Sequence, residues 1–106
     1  MSKLTECASK VVDENPSVKK VLLFGSLARG DYTPHSDADV IVILYEDDRR
    51  IVDRIPEFLK AFLPAPVPVD VFPYTEAELD RMLQQGNSFI QRAMREALTL
   101  AGNEQA

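Results

Sequence analysis

"LLFGSLARGDYTPHSDADVIVIL", residues 22–44, contains two apolar runs, each interrupted by residues that do nothing for a core. The first ends in Gly25-Ser26. The second opens with Asp37 and Asp39, one residue apart. Short runs rich in Val, Ile, Leu and Phe, bounded by turn residues, predict strands. "VKKVLLF" (18–24) lies between Pro16 and Gly25. "DADVIVIL" (37–44) is nearly all apolar after its first three residues, the pattern of a strand buried on both faces in its second half. Between them, "SLARG" (26–30) predicts one or two helical turns and "YTPHS" (32–36) a loop.

Outward from this centre the pattern is helical on both sides. Leu4, Cys7, Ala8, Val11 and Val12 recur at helical spacing, predicting an amphipathic helix over 3–14 that stops at Asn15-Pro16. Cys7 falls on its apolar side and reads as core filler. Apolar residues at 51, 52, 55, 58, 59, 62 and 63 predict a second long helix. Asp47, Asp48, Arg49 and Arg50 form its charged start. Pro56 requires either a kink or a fresh helix beginning near it. "PVPVDVF" (66–72) predicts a third strand. Thr75 and Glu78 have capping-box spacing, and Tyr74 and Leu79 suit a hydrophobic staple. A helix to about residue 84 follows, stopped by Gly86. Asn87 or Ser88 then caps a last helix with apolar residues Phe89, Ile90, Ala93, Met94, Ala97 and Leu98. This stripe reads as core or subunit interface.

The expected order is α-β-α-β-α-β-α-α, an α/β (α+β) layer with a small mixed sheet flanked by helices. Three strands are the minimum. The chain predicts one domain over 1–101 with a disordered tail at 102–106. A sheet this small leaves edges partly uncovered, which favours a partner or a second copy.

Twelve Lys and Arg against seventeen Asp and Glu leave a net charge of −5. That disfavours a broad nucleic-acid or membrane surface, since both need clustered positive charge. One cysteine excludes an intramolecular disulfide. The amino-terminal segment lacks the apolar core of a signal peptide, and no stretch approaches membrane-spanning length, so the expected location is the cytoplasm.

Asp37 and Asp39 project to the same side of a strand, with Cα atoms about 6.6 Å apart. Two carboxylates so placed are either a solvated strand opening or a cation site. Asp70 stands between Val69 and Val71, where an unpaired charge is costly. Either a buried cation pairs with it, or it lies on the open side of an edge strand, or it joins the first two. Three carboxylates together suit two divalent ions around an in-line phosphoryl displacement. Gly25 lets the backbone approach a ligand. Ser26 either caps the short helix or adds a donor to a bound phosphate. Arg29 reaches a phosphate, a carboxylate or solvent. His35 reads as solvated, and Asp31 and Tyr32 share its loop.

Gly25-Ser26, ten residues, then Asp37-Ala38-Asp39, with "ARG" (28–30) and the later "VDVF" (69–72), resembles the nucleotidyltransferase superfamily that includes DNA polymerase β. It is most similar to the minimal nucleotidyltransferases (MNT proteins). The resemblance implies that Gly25 and Ser26 bind the triphosphate of ATP. It implies that Asp37 and Asp39 bind Mg2+, and that Asp70 is the third acid, which helps activate the attacking hydroxyl. It further implies a HEPN-domain partner. In such toxin–antitoxin pairs the nucleotidyltransferase silences a HEPN RNase by adding AMP to a tyrosine. A small-molecule or RNA acceptor, or a non-catalytic module that masks the partner, are the alternatives. Larger relatives carry a further domain for the acceptor. None is expected here, so acceptor recognition would come from a partner or a homo-oligomer.

Overall fold

The computed structural model describes residues 2–30, 37–65 and 67–102. The elements are α1 (Ser2–Glu14), β1 (Val18–Phe24), α2 (Ser26–Arg29), β2 (Ala38–Leu44), α3 (Ile51–Ala61), β3 (Val69–Thr75), α4 (Glu76–Gln84), α5 (Ser88–Glu96) and β4 (Leu98–Gly102). The four strands form one sheet in the order β3-β2-β1-β4. β1 runs antiparallel to both β2 and β4, and β2 runs parallel to β3. The sheet is therefore mixed, as expected.

β4 is an added element. The expected last helix ran through Leu98, but Ala97 already has extended backbone and Leu98 opens a strand paired with Leu23. Thr99 and the alternation around it suit a short strand better than another helical turn, and β1 offers an open edge. Gly102, expected in the tail, closes β4 opposite Lys20. Residues 103–106 lie outside the described residues.

β2 carries the core on both sides. Ala38, Val40, Val42 and Leu44 pack with Leu4, Cys7, Ala8 and Val11 of α1 and with Phe58 and Phe62 at α3. Ile41 and Ile43 face the other way, with Leu22 and Phe24 of β1, Leu79 of α4, and Ile90 and Ala93 of α5. Alternation along a strand makes Asp37 and Asp39 belong to this second face. The capping box forms: the Thr75 hydroxyl accepts from the Glu78 amide at 3.2 Å, and the Glu78 carboxylate accepts from the Thr75 amide at 2.8 Å. Asn87 caps α5 through the Ile90 amide.

Two expectations change around α3. Residues 47–50 form a loop rather than the helix start, because the Asp47 carboxylate is taken by the backbone and side chain of Arg49. These bonds hold Asp47 down to a pKa of about 2, the Arg49 side chain being the largest cause. Pro56 sits inside a continuous helix on its exposed side, where the lost backbone bond is least costly. β3 also runs later than expected, through Pro73 to Thr75. It is an edge strand, so proline is tolerated there.

Arg54 ties these pieces together. It is 2% exposed. Its guanidinium donates to both Glu78 carboxylate oxygens, at 2.6 and 3.1 Å. It also donates to the carbonyls of Asp47, Arg49 and Pro73. The loop after β2, the open edge of β3 and the start of α4 are thus held by one planar cation. Removing it orphans three carbonyls and a carboxylate. Arg54→Ala is expected to cost about 3 kcal/mol, and Arg54→Lys most of that, because an ammonium cannot make the same fork. Thermal unfolding of the two variants checks this. A loss under about 1 kcal/mol for Arg54→Ala would contradict it.

Candidate active site

The site is built by register. β2 and β3 run parallel with Asp39 directly opposite Asp70. On its other side Asp39 faces Phe24 of β1. Lateral partners in a sheet share a face, so Asp39 and Asp70 point to the α4–α5 side together, with Asp37 two residues before Asp39. The Ala38 amide donates to the Pro68 carbonyl at 2.8 Å, extending the ladder to the beginning of both strands. Asp70 is not the partner of a buried cation. Arg54 belongs to Glu78. Asp70 lies exposed on an edge strand and is brought beside Asp39, as two of the three sequence alternatives require.

Asp39 is half-buried between exposed Asp37 and Asp70. Its pKa is raised by burial first, then by the charges of Asp70 and Asp37. The three carboxylates therefore form one repelling group. Among the described residues, no three Asp, Glu, His or Cys side chains are already gathered into a metal cage. The donor set nonetheless fits a hard cation: it is all carboxylate oxygen, and it carries like-charge repulsion that a divalent ion would relieve.

Gly25 turns the chain out of β1 at φ +80°. A Cβ at this position would lie 2.5 Å from Oδ2 of Asp39. Both facts demand glycine: the backbone is left-handed, and the space is filled by the carboxylate. The Gly-Ser half and the Asp-Ala-Asp half of the sequence thus touch in space. Gly25 and Asp39 open into a cleft of about 370 Å³, lined also by Phe24, Arg29, Phe89, Arg92 and Glu96. Ser26 opens α2 beside it; its side chain is outside the described residues, as are Asp31, Tyr32 and His35.

Arg29 lines the cleft and pairs with Glu96 at 2.9 Å. Glu96 also accepts from Arg92 at 3.3 Å. Burial pushes the Glu96 pKa up, but the hydrogen bonds from Arg29 and Arg92 outweigh it and hold Glu96 below the ordinary value. The apolar stripe of α5 reads from its spacing as core or interface. Ile90 and Ala93 are indeed buried. Phe89, Arg92 and Glu96 instead form a neighbouring stripe that faces the cleft. The spacing of 89, 92 and 96 carried that signal, but nothing local said which side met the site. A second cavity, of about 400 Å³, lies between α1 and α3 on the other face of the sheet and includes none of the three aspartates.

Comparison with known proteins gives a consistent result. The nucleotidyltransferase domain family matches residues 4–97. Over 42 residues the chain is 43% identical to a Methanocaldococcus jannaschii protein provisionally named protein adenylyltransferase MJ0604; the match covers 40% of this chain and 42% of that relative. The chain thus spans less than half the length of that curated relative. A Sulfolobus solfataricus crystal structure, provisionally described as a nucleotidyltransferase, superposes with a TM-score of 0.70 over 99% of this chain and 82% of that one, at 23% identity. A toxin–antitoxin structure with AMP-PNP gives 0.58 over 98% and 74%, at 19% identity. An MntA–HpeT toxin–antitoxin structure gives 0.60 over 98% and 73%, at 23% identity. At these identities the structural likeness speaks for the fold.

Two outcomes follow from the geometry. Gly25→Ala is expected to fold, with a backbone penalty of about 1–2 kcal/mol. It should also lower turnover at least ~100-fold, because the new methyl displaces Asp39. Turnover and melting temperature of one preparation check this, and unchanged turnover would contradict it. Asp39→Asn tests the electrostatics. A raised folded pKa means that ionised Asp39 penalises the fold above its titration, and that the penalty fades as pH falls through the raised value toward 3.8. Without divalent cations, Asp39→Asn should therefore be more stable than wild type at neutral pH. The gain stays under about 1 kcal/mol because solvent screens the exposed partners. It should disappear in acid. A gain that grows with acidity would contradict the assignment.

Proposed function

The chain belongs to the nucleotidyltransferase domain family, and on that premise we propose that it moves AMP from ATP to a hydroxyl of a partner protein. The acceptor we propose is a tyrosine of a HEPN RNase toxin, and the transfer silences it, making this chain an antitoxin. One observation carries the reading: Asp39 stands opposite Asp70 on neighbouring parallel strands, against the Gly25 turn. The provisional name of the Methanocaldococcus relative supports AMP transfer to protein. The toxin–antitoxin neighbours support a toxin partner. A reaction that consumes ATP also fits a cytoplasmic location. Among the described residues no helix is long and apolar enough to cross a membrane.

In this reading Gly25, Ser26 and Arg29 hold the triphosphate. Gly25 contributes close backbone approach, Ser26 the amide at the start of α2, and Arg29 a guanidinium. Asp37, Asp39 and Asp70 would hold Mg2+, two ions in all, which would neutralise phosphate charge and make the acceptor hydroxyl more acidic. Asp39 would be the central ligand, since both other acids flank it. Asp70, the more exposed of the lateral pair, draws the proton from the incoming hydroxyl. The acceptor oxygen bonds to the α-phosphorus as the bond to the β-phosphate's bridging oxygen breaks, and pyrophosphate leaves. The chain's contribution is positioning and charge placement.

A second reading, in which the chain silences its partner by covering it, is favoured by one feature. Val52 and Leu59 on α3 and Leu63 just past its end are exposed, at 61%, 38% and 73%. One experiment separates the two. Wild type, Mg2+ and ATP labelled on the α-phosphate are incubated with a HEPN toxin encoded beside this chain. Label is expected on a toxin tyrosine, falling at least ~100-fold with Asp39→Ala or on chelation of the metal. Label on RNA or a small molecule would redirect the acceptor. Full neutralisation by the Asp37→Ala plus Asp39→Ala double variant, with no label anywhere, would replace transfer by masking.

A further inference from the structure

The cleft beside Asp39 has a wall that the transfer chemistry leaves unexplained. Phe24, Phe72 and Phe89 form a closed aromatic triangle, with ring centroids 5.6, 5.7 and 5.8 Å apart. Phe24 is in the core, and Phe72 packs against it. Phe89, at the start of α5, lines the cleft and remains 48% exposed. An aromatic ring wedged against two others yet half open is rigid and has apolar surface to offer. Its neighbours in the cleft are Asp39, Gly25, Arg29 and Arg92. Glu96 tethers both arginines by ion pairs to the same side chain.

We infer that α5 supplies the nucleobase subsite: the base of the bound nucleoside triphosphate packs on Phe89, while its phosphates run past Arg29 and Arg92 toward Gly25 and the aspartates. The composition of the cleft favours a nucleotide over the ring of an acceptor tyrosine. A nucleotide brings both a flat ring and a string of negative charges, and the cleft offers both an aromatic wall and two guanidiniums. A tyrosine would use only the first. A volume of about 370 Å³ is within the range of small-ligand sites and suits one base with its sugar. Among the described residues that line the cleft there is no Asn, Gln, Ser or Thr side chain to read a base edge, and Arg29 and Arg92 are both paired with Glu96. Packing on an aromatic face tolerates every base, so discrimination among ATP, GTP, CTP and UTP is expected to be weak.

This assignment rests on the cleft being the nucleotide site proposed above, and the test keeps the two apart. Dissociation constants are measured in Mg2+ for ATP and for inorganic tripolyphosphate, which has phosphates and no base. Phe89→Ala is expected to weaken ATP about five- to one-hundred-fold, the range that base–aromatic stacking carries. Tripolyphosphate should bind as to wild type. Phe89→Trp should retain ATP affinity. Phe89→Leu keeps the apolar volume without the ring and serves where Phe89→Ala fails to fold; it should behave like Phe89→Ala. Wild type that binds neither ligand overturns both the function and this subsite. Wild type that binds both, with ATP affinity unmoved by Phe89→Ala and Phe89→Leu, overturns the subsite alone. So does an equal loss for ATP and tripolyphosphate. A rise confined to the KM of the acceptor protein would give the wall to the acceptor and overturn the assignment.

Discussion

The parallel pairing of β2 with β3 is the constraint from which the site follows. Because the two strands run the same way and in register, Asp39 meets Asp70 and both meet the same face. A shift of one residue would send Asp70 to the α1–α3 side, among the core residues packed around Phe58 and Phe62. The register is held from the far end. Val71 is buried on the α1–α3 face, while Phe72 packs on the α4–α5 face. Arg54 secures the carbonyl of Pro73 on the open edge and the cap of α4 beyond it. Carboxylates at one end of β3 are thus positioned by apolar packing and a buried cation at the other.

The site stores repulsion rather than relieving it within the chain. Asp39 has no arginine of its own and carries a raised pKa. The arginines near it, Arg29 and Arg92, are turned toward Glu96 instead. Where stability mattered alone, one of those cations would sit on Asp39, as Arg54 sits on Glu78. Keeping the aspartates unpaired with arginine leaves their oxygens available to a cation. Gly25 has the same logic: its missing side chain is the space that Oδ2 of Asp39 occupies.

Much of this was legible in the linear chain because the relevant signals are local. Both central strands announce themselves by apolar runs with turn residues at the ends. The capping box at Thr75 and Glu78 has a fixed spacing. Gly25, Asp37 and Asp39 break apolar runs where a core has no use for them. β4 was missed because Leu98–Gly102 continues an apolar stripe, and only the vacant edge of β1 turns it into a strand. The loop at 47–50 was missed because the Asp47–Arg49 bond competes with helix formation, which composition does not reveal. Nothing in the local sequence marks Arg54 as buried, because its partners lie on other elements. Phe89 reads as part of a core or interface stripe, and Arg92 carries no local signal, for the same reason: the side of α5 that meets the cleft is set by packing of Ile90 and Ala93.

Paramagnetic Mn2+ in place of Mg2+ reports whether the carboxylates on β2 and β3 take a divalent cation against the Gly25 turn, as proposed. Amide spectra recorded with ATP and substoichiometric Mn2+ should lose signal at Gly25, Asp37, Ala38, Asp39 and Asp70, and keep it when both Asp39 and Asp70 are changed to Asn. Broadening centred on the α1–α3 side of the sheet, or broadening that survives the double change, would contradict the account.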